Sequence, residues 1–289
     1  MFNKKKKLIV IFLDGVGYNK DNNKSNIFPY DFINLCGQNC YYFGVNATLN
    51  VRGIPQSGTG QVSLLCGINA AEDICKHYGP FPHHYHKEIL KNKNIFKVLE
   101  SNHIVTYFTN AYPHKYFDML DKYIFQGAFA RAYSYTRKKL NTFNELKLKK
   151  AISGDITNER WINMNYEIDL ISPEEAAHIL YNLSDSFDFI VYEYFFTDHI
   201  GHGKITGETA ANLLNNLKLF LMQVINLVNQ KEVNLLICSD HGNIEELDTK
   251  LHTYNDALFI AAGREAEYFS TKIKYLYDFY KTILNYFEV

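Results

Sequence analysis

Three short apolar runs stand out along the chain, each ending close to an acidic residue. Leu8–Leu13 runs into Asp14, Phe189–Phe196 is followed by Thr197 and Asp198, and Val233–Cys238 is followed by Ser239 and Asp240. Each run has the length of a strand and is rich in aliphatic, β-branched or aromatic residues. Glu193 and Asn234 are isolated polar exceptions, not a regular alternation. Near-continuous apolar runs of this length mark strands buried on both faces, as in a parallel sheet covered by helices. Helical stretches lie between them. Ser172-Pro173-Glu174-Glu175 reads as an N-cap, a proline at the first helical position and an acidic first turn. Thr209–Asn229 carries apolar residues at helical spacing and predicts a long amphipathic helix. A further helix, Tyr268–Phe287, rich in Tyr and Phe, closes the chain.

Alternating strands and helices predict a doubly wound α/β fold, its mostly parallel sheet flanked by helices on both faces. In such folds ligands gather beyond the carboxyl ends of the strands, where Asp14, Asp198 and Asp240 would all point. Three carboxylates at one sheet edge repel each other unless a cation sits among them, and a metal centre is the usual remedy. Between Pro113 and Asn165 the pattern degrades into a lysine- and tyrosine-rich stretch. Residues 113–165 are therefore expected to form a small inserted cap on a core of residues 1–112 and 166–289. Within it, His114, Lys115, Arg131 and Arg137 are candidates for binding the organic part of a substrate, or are simply solvated. The Ala71–Lys87 loop, with Pro80, Pro82, His77, His83, His84 and His86, is expected to overhang the same sheet edge.

Composition narrows the picture. A chain of 289 residues, 47% hydrophobic, can bury a large core. Its 30 Lys+Arg against 31 Asp+Glu, net −1, give no general field for nucleic acid or anionic lipid. An anionic substrate then needs a local site, and neither a nucleic acid nor a membrane is expected as a partner. The Lys4–Lys7 cluster reads as solvated residues ahead of a buried strand. The apolar run behind it is too short for a signal peptide, and no stretch reaches the roughly 18 apolar residues of a membrane span. The cysteines are Cys36, Cys40, Cys66, Cys75 and Cys238. Their odd number, with Cys66 and Cys238 inside apolar runs, fits free thiols in a reducing compartment, so a cytoplasmic location is expected. Cys36 and Cys40 have no second Cys/His pair at zinc-finger spacing.

The candidate chemistry lies where the runs end. Asp198-His199-Ile200-Gly201-His202 sets a carboxylate and an imidazole four residues apart, on one face of a helical turn. Asp240-His241-Gly242-Asn243 follows a buried strand directly, and His252 adds a further imidazole. Carboxylate and imidazole together suit zinc or manganese. Gly53–Gln61 leads into an apolar helical run, so Ser57 falls at a helix N-terminus, where free N–H groups and the macrodipole favour an anion. Alone, Ser57 would serve as an N-cap; beside a divalent ion its hydroxyl becomes a nucleophile.

Taken in order, Leu13-Asp14-Gly15-Val16-Gly17, Pro55–Gln61, Thr197–Gly203, Ser239–Asn243 and His252-Thr253-Tyr254-Asn255 resemble the metalloenzyme branch of the alkaline phosphatase superfamily. Cofactor-independent phosphoglycerate mutase and phosphopentomutase belong to that branch. The whole chain is most similar to its compact phosphoglyceromutase-like members. The resemblance implies two divalent ions, manganese or zinc. One would be held by Asp198, His202 and His252, the other by Asp14, Asp240, His241 and the nucleophile Ser57. Gln61 stands where the mutases have His, which keeps Thr59 in reserve as nucleophile, and His199 matches no ligand position. The implied activity is phosphoryl transfer on a small phosphorylated substrate. With so short a cap, the expected outcome is hydrolysis through a phosphoserine; a phosphomutase is the alternative, and a non-catalytic metal-binding protein the third reading. The Ser57 segment lacks the Cys/Ser-x-Pro-x-Arg arrangement of sulfatases.

Overall fold

The computed structural model describes residues 5–19, 26–35, 39–120, 127–230 and 232–289. Lys4 and Cys36 lie outside the described residues. The strands are β1 (Leu8–Leu13), β2 (Cys40–Val45), β3 (Thr106–Phe108), β4 (Phe189–Tyr194), β5 (Asn234–Cys238) and β6 (Ala257–Ala262). They form one sheet in the order β2-β6-β5-β1-β4-β3. From β3 through β4 and β1 to β5 the pairing is parallel, while β6 runs antiparallel to both β5 and β2. The sheet is thus mostly parallel, as the apolar runs predict.

The main helices are α1 (Ser57–Cys66), α2 (His84–Asn92), α3 (Ala128–Ser134), α4 (Pro173–Asn182), α5 (Phe196–Gly201), α6 (Gly207–Gln230), α7 (Ala266–Lys272) and α8 (Asp278–Phe287). Every residue of central β1 is fully buried. Val10 and Phe12 face one core with residues of α1, α3 and α8, while Ile9, Ile11 and Leu13 face another with residues of α4 and α6. Side chains that alternate between two helix-covered faces explain why β1 is apolar throughout.

Helix α6 spans the amphipathic stretch nearly as predicted, and Ser172 caps α4 by accepting from the Glu175 N–H. The closing helix is a correction: it is two helices, α7 and α8. Ile273 and Leu276 are both fully buried between them, and the Asp278 carboxylate accepts from the N–H groups of Lys274 and Tyr275 at 3.0 and 2.8 Å. A kinked connection buries both apolar side chains, and Asp278 satisfies the freed backbone donors.

The basic residues before β1 do structural work. Lys5 and Lys7 reach Asp188 at 2.6 and 3.2 Å. Asp188 also accepts from the Val105 N–H, tying together the starts of β1, β3 and β4. Burial works against its charge, but the bonds from Lys5, Val105 and Lys7 prevail and hold its carboxyl below the usual range. Cys66 and Cys238 are buried free thiols. Within residues 113–165, Ala128, Phe129, Ala132, Tyr133 and Leu140 pack into the core on the Val10 side, whereas Leu146, Ala151 and Trp161 form a small cluster with Ala111. Among the described residues no helix is long and apolar enough to cross a membrane.

Candidate metal centre

The carboxyl edge of the sheet gathers the acidic and imidazole side chains. Asp14 follows β1 directly, and the turn behind it needs Gly15: its φ is 70°, and a Cβ there would lie 3.0 Å from the Asp198 side chain. Helix α5 follows β4 and sets Asp198 and His202 one turn apart. Ser239, Asp240 and His241 follow β5, all fully buried. His252 comes from a loop pinned by the bond from Thr253 N–H to Gly242 O, 2.9 Å. Helix α1 brings Ser57, which is 5% exposed, to the same edge.

Two overlapping clusters result. Asp14, Asp240 and His241 have ligand atoms within 4.8 Å of one another, and so do Asp198, His241 and His252. The Ser57 hydroxyl lies 2.9 Å from His241 Nε2 and 3.5 Å from Asp14 Oδ1. His241 Nε2 in turn lies 3.3 Å from Asp14 and 3.7 Å from Asp240. Its ring stacks on that of His252, with centroids 3.7 Å apart. His202 Nε2 lies 3.2 Å from Asp198 Oδ1, and His252 Nε2 lies 3.4 Å from the same oxygen.

The tautomers test whether a metal fits. His202 Nδ1 lies 2.7 Å from Lys250 O, and His252 Nδ1 lies 2.7 Å from Pro55 O. A carbonyl accepts only, so each Nδ1 carries the proton and each Nε2 turns a lone pair inward. Those two Nε2 atoms are 3.0 Å apart. Lone pairs that close, facing a carboxylate, require a proton or a metal cation between them.

The electrostatics point the same way. Burial, reinforced by Asp240 and Asp198, pushes the Asp14 carboxyl up to about 7. Burial also opposes charge on Asp198, yet the His202 and His252 rings beside it overcome that and hold this carboxyl far below the usual range. His241 is pushed up to about 10, because Asp240 and Asp14 outweigh the burial that would keep it neutral. Glu193, on β4, is pushed up to about 8 by burial, then by Asp14 and Asp240. Such a concentration of carboxyl groups becomes favourable with divalent cations in place. The residues present therefore fit a metal centre.

All seven side chains expected from the sequence, Asp14, Ser57, Asp198, His202, Asp240, His241 and His252, meet at this edge. Thr59 does not join them: its hydroxyl bonds Gln56 O at 3.1 Å and accepts from the Tyr78 N–H at 3.3 Å. The ring of His199 packs against Phe195 and Phe196 instead. Gln61, in the place of the expected histidine, donates to Asp14 at 3.3 Å and Asp240 at 3.0 Å.

Two supporting residues have no forecast role. Asn243 donates to Asp198 Oδ1 at 2.8 Å. Glu245, 1% exposed, accepts from the N–H groups of Gly17 and Asn243, both at 2.8 Å, from the Thr253 hydroxyl at 2.6 Å and from the Asn255 amide at 3.0 Å. It thereby ties together the loops that carry Asp14, Asp240–His241 and His252. The signal available in the sequence is its position, four residues after His241 in a loop expected to carry ligands.

Residues 6–289 match the sequence profile of the metalloenzyme superfamily. No curated protein is close enough in sequence to count as a relative. Among solved structures, the chain is similar to an alkaline phosphatase from the Antarctic bacterium TAB5, at 13% identity and TM-score 0.55 over 98% of both chains. It is also similar to a lipoteichoic acid synthase from Listeria monocytogenes, at 11% identity and TM-score 0.53, covering 98% of this chain and 72% of that one. A sulfatase from Pseudoalteromonas sp. shares 11% identity at TM-score 0.53, covering 99% and 68%. Identities this low carry the fold and nothing finer.

Proposed function

Because the chain belongs to the metalloenzyme superfamily, we propose that it is a two-metal phosphoryl-transfer enzyme that hydrolyses a phosphate ester through a phosphoserine at Ser57. One observation carries this reading: the Ser57 hydroxyl lies within 3.5 Å of both Asp14 and His241, between groups that converge as metal ligands do. Asp14, Asp240, His241 and Ser57 would hold one divalent ion, and Asp198, His202 and His252 the other; manganese and zinc both suit this donor set. When bound, the ions would neutralise the carboxylates, acidify the serine hydroxyl and offset charge on the transferring phosphoryl group.

The chain's own residues supply the rest. The positive end of α1 favours a phosphate at Ser57. Gln61 donates to Asp14 and Asp240 and so orients both carboxylates. Ser57 Oγ bonds phosphorus as the ester oxygen departs with a proton. A water oxygen then bonds phosphorus, Ser57 Oγ leaves and regains its proton, and inorganic phosphate is released.

The test is a screen of phosphomonoesters and diesters against the manganese- or zinc-loaded protein, with products identified directly. Ser57→Ala is expected to lower turnover by on the order of a thousandfold while the fold and bound metal survive. Full turnover in that variant would remove Ser57 as nucleophile. Isomerisation without release of phosphate would replace hydrolysis by mutase action, and turnover of sulfate esters alone would refute phosphoryl transfer.

A further inference from the structure

A groove beside the metal edge takes no part in the chemistry above. It is about 660 Å³ in volume and runs between the first half of α6, the loop at Ile27 and Pro29, and the turn that joins α5 to α6. Its floor is apolar: Ile200, Ala210 and Leu214 are buried beneath it, while Ile205 and Leu247 are partly buried at its sides. Ala211 lines it from an exposed position on α6. Lys218, farther along that helix, is already paired with Asp31. Ligand pockets in proteins are clefts of about 300–1,000 Å³, mostly apolar, with a few placed polar groups. This groove has that size and that character.

Two features tie the groove to the candidate ligands. The first is the chain itself. Gly201 and Gly203 both line the groove, and the residue between them is His202. Lys250 lines it as well, two residues before His252. Consecutive Cα atoms are about 3.8 Å apart, so groove wall and ligands adjoin along two separate segments. The bond between His202 Nδ1 and Lys250 O, 2.7 Å, joins those segments to each other. Of the Asp198, His202 and His252 side chains, His202 is the most exposed, so this half of the centre is most open where the groove adjoins it. The second feature is the surface in between. Leu251, which separates Lys250 from His252, is 61% exposed, and Ile27 in the groove wall is exposed too. Large apolar side chains left exposed around a groove mark a place that a ligand covers. At the same end the Lys250 side chain lies against Gly203, where a Cβ would be 3.5 Å from its Cε and 3.8 Å from its Nζ. A cation nearest the ligands, with hydrocarbon surface beyond it, complements an anion that carries an aliphatic chain.

We propose that the groove holds the alcohol part of the substrate, and that the substrate is the phosphate ester of an aliphatic alcohol. This rests on the phosphoryl-transfer reading of the metal centre. With the phosphoryl group at the ligands, the carbon chain of the ester passes His202 and lies along Ile200, Leu214 and Leu247. Each methylene taken out of water on that floor adds to binding. A polyhydroxy chain would lose its hydrogen bonds to water there and find few in return. The groove therefore selects among esters that the metals alone would treat alike.

The experiment is calorimetric titration of the manganese-loaded protein with methyl-, butyl- and octylphosphonate. Affinity is expected to rise with chain length, the octyl compound binding about tenfold tighter than the methyl compound or better. Ala211→Asp places a charge in the groove, and Ala211→Phe fills it. Either variant should cut that ratio by about fivefold or more and leave the affinity for methylphosphonate unchanged, with thermal melts verifying that each is folded. Equal affinity for all three compounds would overturn the groove and leave the phosphoryl site standing. So would a gain that survives in both variants, since the chain would then lie elsewhere. If no phosphonate binds while manganese does, the phosphoryl-transfer reading fails and the groove fails with it.

Discussion

At the scale of single residues, the centre depends as much on what holds the ligands as on the ligands themselves. Glu245 accepts from four donors on three loops, a role that suits an acceptor-only carboxylate. Glu245→Gln turns one accepting oxygen into an amide that faces donors. The expected cost is about 1–3 kcal/mol of stability and a roughly 10–100-fold loss of metal affinity, read by denaturant melts and by manganese titration. A melt that shifts while metal affinity stays at the wild-type level would make Glu245 a structural tie only. The candidate ligands were legible because Asp and His immediately after a buried strand have few reasons to be there other than binding. Glu245 was not, because an acidic residue in a polar loop is common and its four partners lie up to 228 positions away. Ser57 and Thr59 show the same limit: both hydroxyls start the same helix, and only their partners separate a candidate nucleophile from a helix-end tie.

At the scale of elements, α1 is held at its reactive end by close backbone contact. A Cβ on Gly58 would lie 2.4 Å from Phe81 O and 2.6 Å from Tyr78 O. Gly58→Ala is therefore expected to push the Tyr78–Phe81 loop off the helix, costing about 2 kcal/mol and weakening the Thr59–Tyr78 bond. Chemical unfolding measures the first effect, and faster amide exchange at Thr59 the second; a variant as stable as wild type would show that the loop yields freely. The core strands were readable because burial on both faces erases polar alternation. Strands β2 and β3 carry no such signal: β2 is an only partly buried edge, and β3 has three residues. The division of the closing helix into α7 and α8 was hidden because the Tyr- and Phe-rich stretch keeps helical spacing across the break. What ends the helix is the core, which takes in both Ile273 and Leu276.

At the scale of the whole molecule, the sheet edge stores electrostatic repulsion. Asp14 is pushed up to about 7, and Glu193 up to about 8. A carboxyl raised in this way holds a proton in the folded state that the unfolded chain has already lost, so stability falls as pH rises through these values. His241, pushed up to about 10, contributes stability that is complete below the ordinary histidine range and fades as pH climbs through 10. All three act in one direction, and the histidines that burial pushes down, His86 among them, no longer titrate above the ordinary histidine range, so the melting temperature of chelator-treated protein is expected to fall from about pH 7 to about pH 9. Manganese requires deprotonated ligands, so its stabilisation grows over the same range and should flatten or reverse the slope. Identical slopes with and without metal would show that these groups do not bind it. The sequence by itself determined the α/β class, the parallel core strands, and the acidic and imidazole side chains that follow them, because periodicity and strand ends are local properties. Only the tertiary structure decided that Ser57 lies beside His241 and that Gln61 and Glu245 tie the candidate site together. Those contacts join segments far apart in the chain, and their geometry is set by how whole layers pack.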